Sequence, residues 1–371
     1  MAWSIVHVLS SFGVGGQERV ALDLAIGQRA RGHHVTAISL APAPASGRSP
    51  AVEPIADELI AAGITVDRVP KRGGLDPTLV PRLALALRRH HADVVHTHNP
   101  LALIYGAPAA RLAGAAAIHT KHGMNPGSRG HRFLRRAAAR LTHAFVAVSD
   151  TTAAQARAQH DASHVLTIPN GIRLDRYHPD AEARAEARVE LGLGDAWVVG
   201  TVGRLDDYKN QVMLVRAIAP LLSSRVRLVI VGDGPNRAAV EAAVAALPEP
   251  RWAVLTGRRM DVPRLLPAFD VFALSSTTEG LPLVVPEAMA AGLPIVTTAV
   301  GGLPDVVSHG DTGLVTPSND EHAFAAALAR LESDRESARQ MGTRAREVAL
   351  ATYSADRMVD AYLGLYAQAR A

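Results

Sequence analysis

Short apolar runs alternate with longer amphipathic or alanine-rich stretches along the whole chain. The short runs are rich in β-branched residues and apolar on both faces, which is typical of buried parallel strands, whereas the longer stretches carry apolar residues at helical spacing. The pattern predicts strands at 5–9, 35–40, 65–69, 94–98, 117–119, 145–148, 198–202, 228–231, 254–256, 271–274 and 295–298. It also predicts helices that include 18–31, 79–90, 210–222 and 237–246.

This strand–helix alternation predicts an α/β protein whose parallel sheets are covered by helices. So many strands exceed what one small doubly wound sheet holds, and we therefore predict two Rossmann-like domains. The turn-forming segment 169–179 marks the boundary, which gives an N-terminal domain over 1–170 and a C-terminal domain over 171–350. The tail 351–371 is predicted as an amphipathic helix.

Composition narrows the class of protein. A length of 371 residues allows two domains, and 48% hydrophobic with 20% charged residues is ordinary for a soluble globular protein. The chain has no cysteine, which excludes disulfides, thiolate catalysis and cysteine-ligated zinc. Its first residues read as a strand rather than a signal peptide, and no apolar stretch reaches membrane-spanning length. A cytoplasmic location is therefore expected.

The basic residues are unevenly distributed between their two types. The formal net charge is +4, and Lys71, Lys121 and Lys209 are the only lysines among the 39 basic residues. With the high alanine content, this bias indicates a GC-rich bacterial genome. A lysine retained against the bias indicates a specific need, and Lys121 and Lys209 both lie in motifs that carry candidate chemistry.

Two glutamates, Glu279 and Glu287, lie eight positions apart on either side of a Gly-Leu-Pro turn that runs into a predicted helix start. Pro286 suits a first helical turn, where its missing N–H costs little. The free N–H groups of residues 281–285 then lie at the positive end of the helix dipole, which binds phosphate. Carboxylates repel phosphate but accept hydrogen bonds from hydroxyls. The segment therefore predicts a ligand with a central phosphate and hydroxyl-rich ends, as in a nucleotide-sugar.

This segment resembles the E-x7-E motif of glycosyltransferase family four, a retaining family with the GT-B fold. The resemblance implies two Rossmann-like domains that face a central cleft, with the last helix crossing back to the N-terminal domain. It also implies that Glu279 contacts the transferred sugar and Glu287 the ribose. Further donor contacts are expected from the turn between them, at Gly280, Leu281, Pro282, Leu283 and Val284.

A second motif follows the first strand of the C-terminal domain. Gly-Arg-Leu-Asp-Asp-Tyr-Lys-Asn over 203–210 resembles the family pattern G-R-x-x-x-x-K-N. Arg204 offers a planar fork and Lys209 a compact charge, and together they can neutralise a leaving diphosphate. The adjacent acids Asp206 and Asp207 alternate in direction and chelate poorly, so we predict a solvated turn and no metal site.

A glycine-rich loop follows the first strand of the chain. Gly13 and Gly15 begin a dinucleotide fingerprint, but Glu18 occupies its third glycine position, which disfavours a nicotinamide cofactor. The loop instead resembles the family's Gly-Gly-x-Glu-Arg element. The resemblance implies that Gly15 and Gly16 lie against the donor diphosphate and Gly13 on the acceptor side. Arg258, after a strand end of the second domain, is expected to contact the base.

Histidines cluster at two strand ends of the N-terminal domain. His96 and His98 alternate, so they share a face and could bind a metal, but the sequence offers no further ligands in register and packing is predicted instead. His122 matches the family histidine that hydrogen-bonds a sugar hydroxyl or the developing charge. His98 and Lys121 are expected on the acceptor side. The basic segment 129–140 is compatible with docking on anionic lipid and, equally, with a solvated helix face.

The resemblance implies a metal-independent retaining glycosyltransferase of the bacterial envelope or exopolysaccharide. It would move a hexose or N-acetylhexosamine from a UDP- or GDP-linked donor to a saccharide or lipid-linked acceptor. The catalytic residues would be Glu279, His122, Arg204 and Lys209. No cofactor and no nucleic-acid partner are expected, and contact with the inner face of the cytoplasmic membrane would be peripheral.

The same residues suggest three alternative functions. A nucleotide-sugar epimerase would use the same fold and release free product without an acceptor. A glycosidase would use the two glutamates as an acid/base pair but would give Arg204 and Lys209 no role. A binding protein without catalysis disagrees with the intact charged motifs.

Overall fold

The computed structural model describes residues 2–13, 15–42, 53–123, 129–159 and 161–370. The chain divides into two compact units, and each contains one parallel sheet. Unit 1 comprises Met1–Gly171 together with Ala355–Ala371, and unit 2 comprises Ile172–Ser354. The inner strands of both sheets are buried on both faces and most of their residues are apolar, which explains the continuous apolar runs of the sequence.

The sheet of unit 1 has seven strands in the order β3-β2-β1-β4-β5-β6-β7. Its strands are β1 Ser4–Leu9, β2 His34–Ser39, β3 Thr65–Arg68, β4 Val94–Thr97, β5 Ala116–Lys121, β6 Ala144–Ala147 and β7 Leu166–Thr167. Its helices are α1 Gly16–Ala30, α2 Pro54–Ala61, α3 Leu79–Arg89, α4 Pro100–Ala113, α5 Arg129–Ala139, α6 Asp150–Ala158 and α15 Ala355–Arg370. The strand order reverses between β1 and β4, which is the place where open α/β sheets bind ligands.

The sheet of unit 2 has six strands in the order β10-β9-β8-β11-β12-β13. Its strands are β8 Trp197–Val202, β9 Val226–Val231, β10 Ala253–Gly257, β11 Val271–Leu274, β12 Ile295–Thr298 and β13 Gly313–Thr316. Its helices are α7 Ala181–Glu190, α8 Gln211–Ile218, α9 Arg237–Ala245, α10 Val262–Leu265, α11 Val284–Ala290, α12 Leu303–Val306, α13 Glu321–Ser333 and α14 Arg335–Thr352. The strand order of this sheet reverses between β8 and β11, and the predicted donor motifs follow these two strands.

Local sequence explains several boundaries. The Asn99 side chain accepts a hydrogen bond from the N–H of Ala102 and begins α4, and Gly114 ends that helix with φ +78°. Helix α8 stops at Ile218, earlier than the predicted 222, because Pro220 lacks an N–H and a 3-10 turn follows. Strand β13 was not predicted at all. It begins at Gly313, a residue that disfavours strands, and a side chain there would lie 2.1 Å from the carbonyl oxygen of Ile295.

Helix α15 returns the chain to unit 1. Its buried face carries Met358, Val359, Tyr362, Leu365 and Tyr366, and it packs against α1 and β5. No helix among the described residues combines the length and the apolar character needed to cross a membrane.

Candidate functional site

Lys209 and Glu279 lie together in unit 2. Lys209 follows β8 and Glu279 follows β11, and these two strands pair in parallel, so their carboxyl ends meet. Lys209 Nζ lies 2.6 Å from Glu279 Oε1, and Ser276 Oγ donates to the same oxygen at 2.6 Å. The sequence motifs indicated both charged residues but assigned them separate contacts with the ligand. The structure joins them in one ion pair.

The turn that carries Lys209 is organised by the two adjacent acids. Asp206 Oδ1 accepts hydrogen bonds from the N–H groups of Tyr208 and Lys209 at 3.1 and 3.0 Å. Asp207 Oδ1 accepts from Asn236 Nδ2 at 2.6 Å. The two carboxylates therefore fix the loop.

Arg204 lies at the start of this turn. Its side chain is 70% exposed, and Nε lies 3.8 Å from the nearest Asp206 oxygen. With such loose pairing, the guanidinium is available to a ligand, and its contact with a diphosphate stays a prediction.

Glu287 lies on α11 and is buried. Its Oε1 accepts a hydrogen bond from the Tyr177 hydroxyl at 2.9 Å, a partner that the sequence reasoning missed. The N–H of Val285 donates to the carbonyl of Pro282 at 3.2 Å. The expectation that all N–H groups over 281–285 are free is therefore wrong for Val285, because a tight turn already begins at Pro282.

The loop that carries Glu279 is held by two glycines after β12. The Gly302 N–H donates to the carbonyl of Gly280 at 2.8 Å. Gly301 has φ +54°, and a Cβ there would lie 1.9 Å from the Glu279 carbonyl oxygen. Leu281 and Leu283 are buried and anchor the following turn. Glycine at 301 is therefore required for the backbone of Glu279 to lie where it does.

The glycine-rich loop of unit 1 leads into α1. Gly15 precedes the helix in an extended conformation, and Glu18 is buried, which raises the pKa of its carboxyl. A Cβ at Gly16 would meet no described atom within 4 Å, and one at Gly13 would meet only Ser11 Oγ at 3.5 Å. Packing within the described chain does not explain these two glycines. Their ligand contacts, and that of the exposed Arg258, stay predictions.

The predicted histidine pair belongs to a larger cluster. His7 on β1 is the register partner of His96 on β4, and the rings of His7, His96 and His98 are fully buried. His122, after β5, stacks on His98 with ring centroids 5.5 Å apart. The expectation that no further histidine lies in register is therefore wrong. Pairing of β1 with β4 skips two intervening strands, so only the strand order reveals it.

Burial keeps these rings neutral. It lowers the pKa of His7 and of His122 to about 4, and it holds the pKa values of His96 and His98 well below their ordinary range. His98 contacts His7 on one side and His122 on the other. Both ring nitrogens of His98 are therefore occupied by other histidines, and its contact with the acceptor stays a prediction.

Lys121 is buried in an ion-pair cluster of unit 1. Its Nζ lies 2.7 Å from Asp161 Oδ2, and Arg135 Nη2 lies 3.2 Å from Asp161 Oδ1. The Lys121 side chain is only 2% exposed. This depth of burial supports a structural role for Lys121, and its contact with the acceptor stays a prediction.

Two family models match this sequence. The model of group 1 glycosyl transferases matches residues 183–348, and that of glycosyltransferase family 4 matches residues 14–176. The chain is 35% identical over 314 residues to the GDP-mannose-dependent alpha-(1-6)-phosphatidylinositol monomannoside mannosyltransferase of Mycobacterium tuberculosis, which covers 78% of this chain and 80% of the relative. It is 30% identical over 265 residues to the UDP-Gal:alpha-D-GlcNAc-diphosphoundecaprenol alpha-1,3-galactosyltransferase of Escherichia coli, covering 67% and 68%.

A solved structure gives the fold independently. HepE of Anabaena, crystallised with UDP, matches this chain with a TM-score of 0.85 at 22% identity, over 99% of this chain and 100% of that one. Together with the two parallel sheets, this likeness confirms the predicted GT-B fold.

Proposed function

Because the chain belongs to the group 1 glycosyltransferases of family 4, we propose that it is a metal-independent retaining enzyme that moves a hexose from a nucleotide-sugar to a lipid-linked saccharide. Membership of this family establishes the glycosyltransferase activity and a nucleotide-sugar as the donor. The relatives named above are transferases and give no support to the epimerase alternative.

The donor and acceptor are proposed from those relatives. The mycobacterial relative is GDP-mannose-dependent, and the more distant one from Escherichia coli uses UDP-Gal, so GDP-mannose is the first donor to test. The acceptors of these two relatives, a phosphatidylinositol monomannoside and a GlcNAc-diphosphoundecaprenol, are glycans on lipid. They support a lipid-linked acceptor for this chain.

The observation that carries the mechanism is the ion pair between Lys209 and Glu279, together with the exposed side chain of Arg204 on the turn that leads to Lys209. In the proposed reaction, the bond from the anomeric carbon to the diphosphate oxygen breaks, and Arg204 and Lys209 stabilise the charge that develops there. Two cations on one diphosphate reduce the need for a metal ion.

Glu279 is proposed to orient the sugar rather than attack it. Its Oε1 already accepts hydrogen bonds from Lys209 and Ser276, which makes that oxygen a poor nucleophile. The acceptor oxygen instead bonds to the anomeric carbon on the face that the diphosphate leaves. The proton of the acceptor hydroxyl passes to the departing phosphate oxygen, so atoms and charge balance without a covalent enzyme intermediate.

Product stereochemistry tests this proposal. The protein is incubated with GDP-mannose or UDP-galactose and a lipid-linked saccharide, and proton NMR of the product reports the new linkage. We expect an α-linked product from the α-linked donor and full activity in EDTA. A β-linked product contradicts retention, and activity that EDTA abolishes and Mg²⁺ restores contradicts metal independence.

Peripheral contact with anionic lipid is proposed for α5, since the acceptor is proposed to be lipid-linked. Phe133 is 68% exposed on this helix, next to the exposed Arg132. An aromatic ring beside basic side chains is typical of interfacial helices. Phe133→Ser should weaken binding to phosphatidylglycerol vesicles in a flotation assay, whereas Leu85→Ser, at a 58% exposed position on α3, should not. If the unaltered protein, Phe133→Ser and Leu85→Ser bind the vesicles equally, the proposed contact of α5 with lipid is contradicted.

A further inference from the structure

Three histidines of unit 1 are joined ring to ring. His122 Nε2 lies 3.2 Å from His98 Nδ1, and His98 Nε2 lies 2.9 Å from His7 Nδ1. The series ends at Gln28 on α1, whose carbonyl Oε1 lies 2.8 Å from His7 Nε2. At its other end, His122 Nδ1 is buried and has no hydrogen-bond partner in the described part of the chain.

The amide of Gln28 decides where the protons lie along this series. An amide oxygen can only accept, so the proton of His7 is on Nε2 and its Nδ1 is an acceptor. His98 must then donate from Nε2, which leaves its own Nδ1 to accept from His122 Nε2. Because burial lowers the pKa of the rings, each holds one proton at neutral pH. His122 Nδ1 is therefore left with a lone pair.

The Gln28 amide also contacts α15. Gln28 Nε2 donates to the Tyr366 hydroxyl at 3.2 Å. That hydroxyl has one proton, which it donates to His96 Nδ1 at 2.6 Å, and His96 Nε2 then donates to Thr120 Oγ1 at 2.7 Å. In the structure the Gln28 oxygen faces His7. The reversed amide would satisfy the same hydrogen bonds with every proton moved to the other partner, and it would leave His122 with an Nδ1–H, so the two orientations predict opposite tautomers of His122.

We propose that Gln28, His7 and His98 are positioning residues that hold His122 in its Nε2–H form, so that Nδ1 presents a lone pair to a hydroxyl of the bound sugar. The inference rests on the proposed function and on the family resemblance, which implies that His122 hydrogen-bonds a hydroxyl of the sugar. A buried nitrogen without a partner costs folding free energy, so its presence indicates that a ligand supplies the missing hydrogen bond. A hydroxyl donor fits the lone pair, and a ligand group that can only accept does not.

A metal site in the same cluster is the alternative to the relay. The ligand nitrogens of His7, His96 and His98 lie within 4.8 Å of one another. However, both ring nitrogens of each of these histidines already lie within 2.6–3.2 Å of a hydrogen-bond partner. A metal would have to displace those hydrogen bonds, whereas the relay uses all of them.

Nitrogen NMR tests the relay without reference to activity. The full chain is labelled with ¹⁵N-histidine, and long-range proton–nitrogen spectra at pH 7.5 distinguish Nε2–H from Nδ1–H rings. His122 is assigned by the signal that His122→Ala removes. We expect the Nε2–H form, and we expect a mixture of both forms in Gln28→Met, which keeps the side-chain length but has no amide.

Two controls are available within unit 1. His143 accepts a hydrogen bond from the Ala117 N–H at Nδ1, so its ring should stay Nε2–H in every protein. His119→Gln removes another buried histidine that lies outside the relay, and it should leave the His122 form unchanged. An Nδ1–H ring at His122 in the unaltered protein, or no change in Gln28→Met, overturns the proposal. Stoichiometric Zn²⁺ that shifts the ring signals of His7, His96 and His98 also overturns it.

Kinetics supply a second readout. Gln28→Met and His98→Phe should lower kcat by about 10-fold or more and leave KM for the nucleotide-sugar within about twofold, because the nucleotide part is expected to supply most of the donor's affinity, whereas the hydrogen bond to the sugar orients it for transfer. His98→Gln, which can donate to His7 and accept from His122, should recover most of the rate. Equal losses in His98→Phe and His98→Gln contradict the relay. If the unaltered protein transfers no sugar, the proposed function fails while the NMR result still decides the tautomer.

Discussion

Lys209 and Glu279 illustrate how far single residues depend on each other, because their charged atoms lie 2.6 Å apart. Lys209→Ala and Arg204→Ala should each lower kcat by about 10²-fold or more, since each removes a charge that acts as the leaving group departs. Losses from Lys209→Ala and Glu279→Ala should not multiply in the double variant, because either change disrupts the same pair. Steady-state kinetics measure this, with Arg251→Ala as a control on an arginine whose side chain is 76% exposed. Fully multiplicative losses would show that the two residues act separately.

A binding measurement separates the proposed roles of Glu279 and Glu287. Glu287→Ala should weaken binding of the free nucleoside diphosphate, because the carboxylate is proposed to hold the ribose. Tyr177→Phe should weaken it less, since only the hydrogen bond at 2.9 Å is lost. Glu279→Ala should leave this binding intact while damaging transfer. Calorimetry with the sugar-free nucleoside diphosphate measures these affinities. Equal losses of affinity in Glu279→Ala and Glu287→Ala would mean that the two roles are misassigned.

At the scale of elements, the contact between the Glu279 loop and the segment after β12 should be sensitive to one methyl group. Gly301→Ala combines φ +54° with a Cβ 1.9 Å from the Glu279 carbonyl oxygen. Gly310→Ala has φ +83° and open space around the new Cβ, so it isolates the backbone strain, which costs about 1–3 kcal/mol. Urea unfolding should show a larger loss for Gly301→Ala, and only this variant should lose transferase activity. Equal behaviour of both variants would contradict the close approach.

Individual strands differ in how well the sequence alone predicts them. Apolar runs located β11 and β12 to the residue, because continuous burial leaves an unmistakable pattern. Strand β13 was missed because Gly313 permits a close approach that depends on Ile295, a residue of another strand. The site follows the same rule: Glu279 and Glu287 were found from their local motif. The hydrogen bond from Tyr177 to Glu287 joins residues 110 positions apart and has no local signature.

For the whole molecule, the buried histidines should make stability depend on pH. His7 and His122 have folded pKa values of about 4 and His119 of about 3, against 6.5 when unfolded. Below pH 6.5 the unfolded chain therefore binds more protons than the folded one, so stability is full above this pH and falls as pH drops towards 4. Each such ring contributes up to about 1.4 kcal/mol per pH unit in this window. Urea unfolding between pH 7.5 and 5 measures the slope, which should be smaller in His119→Gln. Stability that is constant over this range would contradict the burial of neutral rings.

The return of α15 to unit 1 has a consequence for synthesis. Tyr362 and Tyr366 contribute hydrogen bonds to Thr120 and His96, so unit 1 lacks part of its interior until the last helix has been made. Unit 2 is one continuous segment, Ile172–Ser354, and every residue of it is translated earlier. On the ribosome, the unit that begins first is thus the last to be completed. A nascent chain that has released residues up to 354 should resist protease in unit 2 while unit 1 is still cleaved.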